Sequence, residues 1–198
     1  MPYVWNVAQA RYRDTATGRF VSRAVVLALT EQSMATSSDA MQLLGAQVAS
    51  SQLSANDFGD LFRKEIQGEF IRQYLAGRGG VGVMTQSDWG RLGRMLRDQY
   101  EYARGFQSEL SGLSEAQILQ RAHLYSQAAG AAYHTGQKVS MLAAGMTKVL
   151  WVLGDAEHCD DCEQLASQGW MPIEELATVP RAGATACMVN CQCGLKYQ

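Results

Sequence analysis

The chain has 198 residues, 47% of them hydrophobic and 18% charged, with only three prolines, which excludes a disordered or proline-rich protein and allows a sizeable core. Seventeen basic residues against nineteen acidic ones leave a formal charge of −2, which offers no general attraction to nucleic acid or an anionic membrane. No segment reaches the roughly 20 apolar residues of a spanning helix, and the start MPYVWNVAQARYRD has no basic stretch followed by an apolar one, so neither an export signal nor a membrane role is expected and the chain is expected to be made and kept in the cytosol.

Residues 1–21 read as a short N-terminal arm or hairpin, with the turn signal Thr17-Gly18 between Tyr12 and Phe20. A helical pattern begins at Ser22, a plausible N-cap, and carries Val25, Ala28, Leu29, Met34, Met41, Leu44 and Val48, with an interruption expected where Thr36 to Ser38 cluster. Ser54 caps a second helix bearing Phe58, Leu61, Phe62, Ile66, Phe70, Ile71 and Tyr74, closed by GRGGVG at 77–82. That glycine run follows a helix rather than a strand and lacks the Gly-Lys-Ser/Thr ending of a phosphate loop, so it terminates a helix and binds no nucleotide.

A third helix, about Ser87 to Gln107, places Trp89, Leu92, Leu96, Tyr100 and Ala103 on one side and Arg91, Arg94, Arg97 and Arg104 elsewhere. Those arginines read as a solvated face supported by Asp98 and Glu101 rather than a nucleic-acid surface. Ser114 and Gln117 form a capping-box pattern that opens a fourth helix to about residue 144. Its stripe of Ile118, Ala122, Tyr125, Ala129, Ala132 or Tyr133, and Gly136 is rich in small residues, which permit close helix approach within the chain or between copies of it. His123 and His134 lie about three turns apart, too far to share one metal on a straight helix, and read as packing or surface histidines. With no GxSxG, no HExxH and no dense carboxylate cluster, the helical body, 22–146, suggests a structural part and no enzyme.

All five cysteines fall in the last forty residues, and so does an acidic excess: residues 151–198 hold two basic and seven acidic residues, against fifteen and twelve before them. Thr147 to Leu153 is a β-rich run that delivers Cys159-Asp-Asp-Cys162, and Cys187, Cys191 and Cys193 follow at the distance of a second metal-binding knuckle. Disulfides are disfavoured by the odd count and the expected reducing compartment. A redox CxxC would need a βαβ setting and would leave three cysteines unexplained. Structural Zn2+ is therefore the expected cofactor, held by Cys159 and Cys162 with Cys191 and Cys193, and with Cys187 as a substitute for either of the last two. His158 is expected to point away from the ion that Cys159 binds. A four-thiolate site leaves no open position for water, so it staples a module of 147–198 that is too small to fold by burial alone. Gly169-Trp-Met-Pro172 and Gly183-Ala-Thr185 read as turns, with Trp170 in the core of this tail. The fold class expected is mainly α: a long-helix body, an N-terminal arm or hairpin, and a C-terminal zinc-stapled β-rich module.

The order Trp151, His158-Cys-Asp-Asp-Cys162, Gly169-Trp-Met-Pro172, then Cys187-Met-Val-Asn-Cys-Gln-Cys193 with Leu195 resembles the C-terminal module of the tailed-phage head-morphogenesis proteins, the minor head proteins of the phage Mu F-like type. That family has a CxxC, a glycine and proline stretch, and a His-Pro-Asn-Cys-Arg-Cys signature, of which Asn190-Cys191-x-Cys193 matches the core. Met188, Val189 and Gln192 replace the histidine, proline and arginine, and Cys187 could stand in if that histidine is a ligand. The resemblance covers about the last fifty residues. It implies a non-catalytic virion component in few copies, made in the host cytoplasm and built in near the portal. Its partners would be portal, major capsid or connector proteins and other copies of itself, with Tyr3 to Phe20 and the small-residue helix as contact elements. Two rivals stand beside it. One is a zinc-ribbon nucleic-acid-binding or regulatory protein, for which the acidic tail is poorly suited; the other is a metal-dependent hydrolase using His158, Asp160 or Asp161 at an open metal position.

Overall fold

The computed structural model describes residues 3–6 and 11–198. Strands β1 (Tyr3–Asn6), β2 (Arg11–Asp14) and β3 (Phe20–Val21) form an antiparallel meander in the order β1-β2-β3. The β2–β3 turn lies where the sequence places it. Gly18 takes φ 70°, a left-handed conformation that glycine adopts without steric penalty, and Asp14 Oδ1 accepts from the N–H groups of Ala16 and Thr17 at 2.8 and 3.0 Å. This part of the chain is not a free arm: Tyr12 is 1% exposed and its hydroxyl donates to the Ala76 carbonyl. Residues 1, 2 and 7–10 of the expected arm lie outside the described residues.

Helix α1 (Arg23–Ala49) starts at Ser22, whose hydroxyl accepts from the Val25 N–H. It runs unbroken through Thr36–Ser38, contrary to the interruption expected there. Exposed Thr36 donates back to the Gln32 carbonyl one turn earlier at 3.0 Å, a bond compatible with the helix, and buried Ser38 Oγ bonds His123 Nδ1 at 2.8 Å. The buried face also differs from the expected stripe, since Val25 is exposed while Val26, Thr30, Met34, Ser38, Met41 and Gly45 are buried. Small and hydroxyl-bearing residues suit that face because a neighbouring helix approaches closely. A Cβ on Gly45 would lie 3.1 Å from the Ile118 side chain.

Helix α2 (Ala55–Arg78) is capped by Ser54 and ends at Gly79 in the left-handed region, so the glycine run terminates it as predicted. Phe58, Phe62, Ile66, Phe70 and Tyr74 are buried on one face. With Phe106 and Tyr125, Phe58 and Phe62 form an aromatic cluster whose ring centroids lie 4.9 to 5.9 Å apart. Each buried phenylalanine contributes about 1.5–3 kcal/mol and each ring pair about 0.5–1.5 kcal/mol more, which makes this cluster the anchor of the helical core.

Helix α3 (Gln86–Glu109) begins at a capping box formed by Thr85 and Asp88 rather than at Ser87. Buried Asp88 also accepts from Tyr74 Oη at 2.9 Å and pairs with Arg78 and Arg91, each at 3.2 Å. Burial alone would raise its carboxyl pKa, but bonds from Thr85 and Tyr74 and the charge of Arg78 outweigh it and hold the group below the usual value. Arg97 and Arg104 stand beside Asp98 and Glu101 on the exposed side, as the solvated-face reading expects.

The capping box at Ser114 forms, but the single helix expected from 114 to 144 is two. Helices α4 (Glu115–Ala128) and α5 (Gly130–Ala143) meet at Ala129. Tightened bonds from Ala129 N–H to the Ser126 carbonyl and from Ala132 N–H to the Ala129 carbonyl mark the break, beside Gly130. The small residues of α5 serve packing inside this chain. A Cβ on Gly77 would sit 1.9 Å from the Tyr133 carbonyl oxygen, and one on Gly136 would sit 2.5 Å from that of Tyr74, so α2 and α5 cross at backbone contact.

The C-terminal end holds β4 (Lys148–Val152), α6 (Asp160–Ser167), β5 (Met171–Pro172) and β6 (Gly194–Tyr197), with antiparallel sheet order β5-β4-β6. A second core of Val149, Trp151, Ile173, Leu176 and Leu195 packs around Cys162, Cys191 and Cys193. Its tryptophan is Trp151, 1% exposed; Trp170, expected in this core, is 41% exposed. The turn at Gly169 (φ 68°) brings Met171 into register with Val149 and leaves Trp170 outside. Among the described residues no helix is long and apolar enough to cross a membrane.

Candidate metal centre

Local backbone structure explains how five cysteines separated by up to 34 positions come together. Strand β4 ends at Val152, and the chain then doubles back through Gly154, where an added Cβ would meet the Gln192 carbonyl oxygen at 2.2 Å. Only glycine allows that approach, which lays the segment before Cys159 against the Cys191–Cys193 turn. Cys159 is the N-cap residue of α6 and Cys162 lies in its first turn, with the Cys162 N–H donating to the Cys159 carbonyl at 2.9 Å. On the opposite side, Met188 N–H donates to Thr185 O at 2.7 Å and Asn190 N–H to Cys187 O at 3.0 Å, forming a tight knuckle. Asp161 fastens the two halves, its Oδ2 accepting from the Ala186 N–H at 2.8 Å.

The sulfurs converge on Cys162. Its Sγ lies 3.6 Å from Cys187 and 3.7 Å from Cys191. Two triads result, Cys159-Cys162-Cys187 and Cys162-Cys191-Cys193, each with its sulfurs mutually within 4.8 Å. Four thiolates about 2.3 Å from one tetrahedral ion are separated by about 3.8 Å, so the spacing at Cys162 fits a metal. The cysteine cluster can therefore hold a metal ion. All five thiols are free, and Cys162, Cys191 and Cys193 are buried.

Burial pushes the Cys162 and Cys187 thiols up, whereas the N–H of Cys162 draws Cys159 down to about 7. A buried thiolate set needs a compensating cation, and a bound metal supplies it. The CxxC does sit at a helix start after a strand, but the sheet around it is antiparallel and no βαβ unit is present among the described residues.

His158 faces Cys193 rather than Cys159: its Nδ1 is 3.6 Å from Cys193 Sγ, and its Nε2 engages the Gly154 carbonyl at 2.9 Å. Cys187 shares a triad with the CxxC pair, whereas Cys191 and Cys193 share one with Cys162. Met188 is 56% exposed and adopts φ 53°. Neither His123 nor His134 belongs to the cluster. His123 bonds Ser38, and burial drives His134 down to about 3, with Arg181 and Arg23 acting the same way.

One residue that sequence reasoning missed joins the cluster to the helices. Arg181, held at φ 65°, donates from Nε to the Cys191 carbonyl at 3.1 Å and from Nη1 to Gln127 Oε1 at 3.0 Å, and its Nη2 reaches Glu31 at 3.2 Å. Its only sequence signal is that it is one of two basic residues in an acidic tail. No family model matches the chain, and no curated protein or solved structure matches it either.

Proposed function

We propose that this chain is a structural protein of a bacteriophage virion, a minor head or head-morphogenesis protein acting in capsid assembly near the portal or head-tail connector. The observation that carries the reading is the family-like motif order, CxxC then Asn190-Cys191-x-Cys193, whose sulfurs meet around Cys162. The ion is Zn2+, held by Cys162 and Cys159 with two of Cys187, Cys191 and Cys193. Such a thiolate set closes the coordination sphere, so the ion staples the tail and does no chemistry. The hydrolase rival is further weakened because Asp161 is committed to a backbone N–H of the opposite knuckle. The partners are portal, major capsid or connector proteins and further copies of the chain.

Two measurements test this together: proteomics of particles purified from the host that makes the chain, and elemental analysis of the purified protein. The chain should co-purify with particles through a high-salt wash and carry about one zinc per chain. Its absence from particles while abundant in the lysate overturns the virion role. Salt-dependent DNA binding by the purified protein would favour the zinc-ribbon reading instead.

A further inference from the structure

With no cysteine in its lining, an open cleft of ≈ 490 Å³ lies between the start of α1, the N-terminal meander, α5 and β6. This is within the usual range for small-molecule sites, about 300–1,000 Å³. Its interior is polar in an unusual way. Gln137 is 0% exposed and lines the cavity; neither its Oε1 nor its Nε2 makes a hydrogen bond of good geometry, although the His134 ring lies close enough to feel the amide. Arg23 donates from Nη2 to the Leu195 carbonyl at 2.7 Å, but its Nε is buried and unpartnered, and no carboxylate lies within 4.0 Å of its guanidinium among the described residues. The Tyr197 hydroxyl is likewise buried without a partner. Folded proteins satisfy nearly all such groups, and a cluster of exceptions around one cavity marks a place where something else completes them.

The donors define what that is. A guanidinium without a counter-ion calls for a negative charge, a primary amide offers a donor and an acceptor, and a phenol offers a donor. Phe20, half-exposed at the wall, and Met141 supply apolar surface beside them, and Arg11 adds positive charge. We propose that this cavity binds a small organic anion, whose carboxylate or phosphate head is held by Arg23, Gln137 and Tyr197 and whose short apolar body lies against Phe20 and Met141. The site spans all three parts of the chain, so its occupant ties the meander and β6 to the start of α1. It stands independently of the metal centre and of the virion role.

Calorimetric titration of the full chain with hexanoate, hexyl phosphate and 1-hexanol tests this. At least one of the two anions should bind saturably at one site, the preferred one identifying the head group, while neutral hexanol does not. Binding should weaken about tenfold or more in Arg23→Gln and in Gln137→Leu. Arg23 also holds the Leu195 carbonyl, so its variant could fail to fold. Gln137→Leu removes an amide that makes no hydrogen bond of good geometry and should fold as well as the parent. Failure of both anions to bind the parent chain, equal binding of hexanol, or undiminished binding by folded Gln137→Leu would each overturn the proposal.

Discussion

Replacing Gly77 by alanine tests the tightest packing in the helical body. In isolation the change favours the helix by about 0.8–1.0 kcal/mol. Here the added Cβ would lie 1.9 Å from the Tyr133 carbonyl oxygen and 2.8 Å from the Gln137 nitrogen. Both obstacles are backbone atoms of α5, so no side chain can swing aside. Restoring ordinary contact requires α2 and α5 to move apart by about 1.5 Å, and gaps of even 0.5–1 Å forfeit a quarter to a half of each contact along the crossing. Overpacking costs typically about 1–3 kcal/mol, and a backbone clash belongs at the upper end, so a net loss of about 2 kcal/mol is expected after the propensity gain. For a chain of this size that lowers Tm by about 4–8 °C. Gly93→Ala is the matched control. Gly93 is exposed within α3 with nothing within 4 Å of an added Cβ, so the same substitution should stabilise by about 0.5–1 kcal/mol. Urea and thermal unfolding of the two variants should therefore shift in opposite directions. If Gly77→Ala matches or exceeds the parent in stability, the close crossing of α2 and α5 is wrong.

Cys162→Ser should abolish metal retention in elemental analysis, because Cys162 belongs to both triads. Comparing Cys187→Ser with Cys193→Ser then shows which triad completes the site, and retention of a full metal equivalent by Cys162→Ser would refute the arrangement. Arg181→Met removes a nearly buried guanidinium from Cys191 and Gln127 and should cost about 2–4 kcal/mol in denaturant unfolding; a loss below about 0.5 kcal/mol would reduce it to an ordinary surface residue. His134, held down to about 3 from 6.5 chiefly by burial, stays neutral in the folded chain while the unfolded chain takes up a proton. It therefore costs no stability above about pH 6.5, and stability falls by about 1.4 kcal/mol per pH unit as pH drops from there toward 3. His134→Gln should flatten that stretch of the stability–pH curve, and an unchanged slope would show that the ring titrates freely in the native state.

Several features were legible in the residues alone because they are local. Ser22, Ser54 and Ser114 cap helices where side-chain oxygens precede an apolar pattern, the glycine run at 77–82 stops α2, and Thr17-Gly18 turns the hairpin. The clustering of cysteines behind a strand likewise announced a possible metal site. Helix α6 escaped notice because its eight residues are too few to show a period.

What tertiary structure decided are the matters that depend on a partner distant in sequence. Helix α1 continues through Thr36 to Ser38, where Ser38 meets His123 of α4. The helix after Ser114 breaks at Ala129, where Gly130 makes room for Arg181 from the tail. Trp151 rather than Trp170 enters the second core, and Cys162 rather than any other cysteine becomes the hub. Composition, caps and spacing determined that this chain would be mainly helical with a metal-competent tail, because those rest on interactions within a few residues. Which hydroxyl, glycine or thiol meets which neighbour rests on contacts between residues as much as 172 positions apart, and only close packing of the whole chain selects among them.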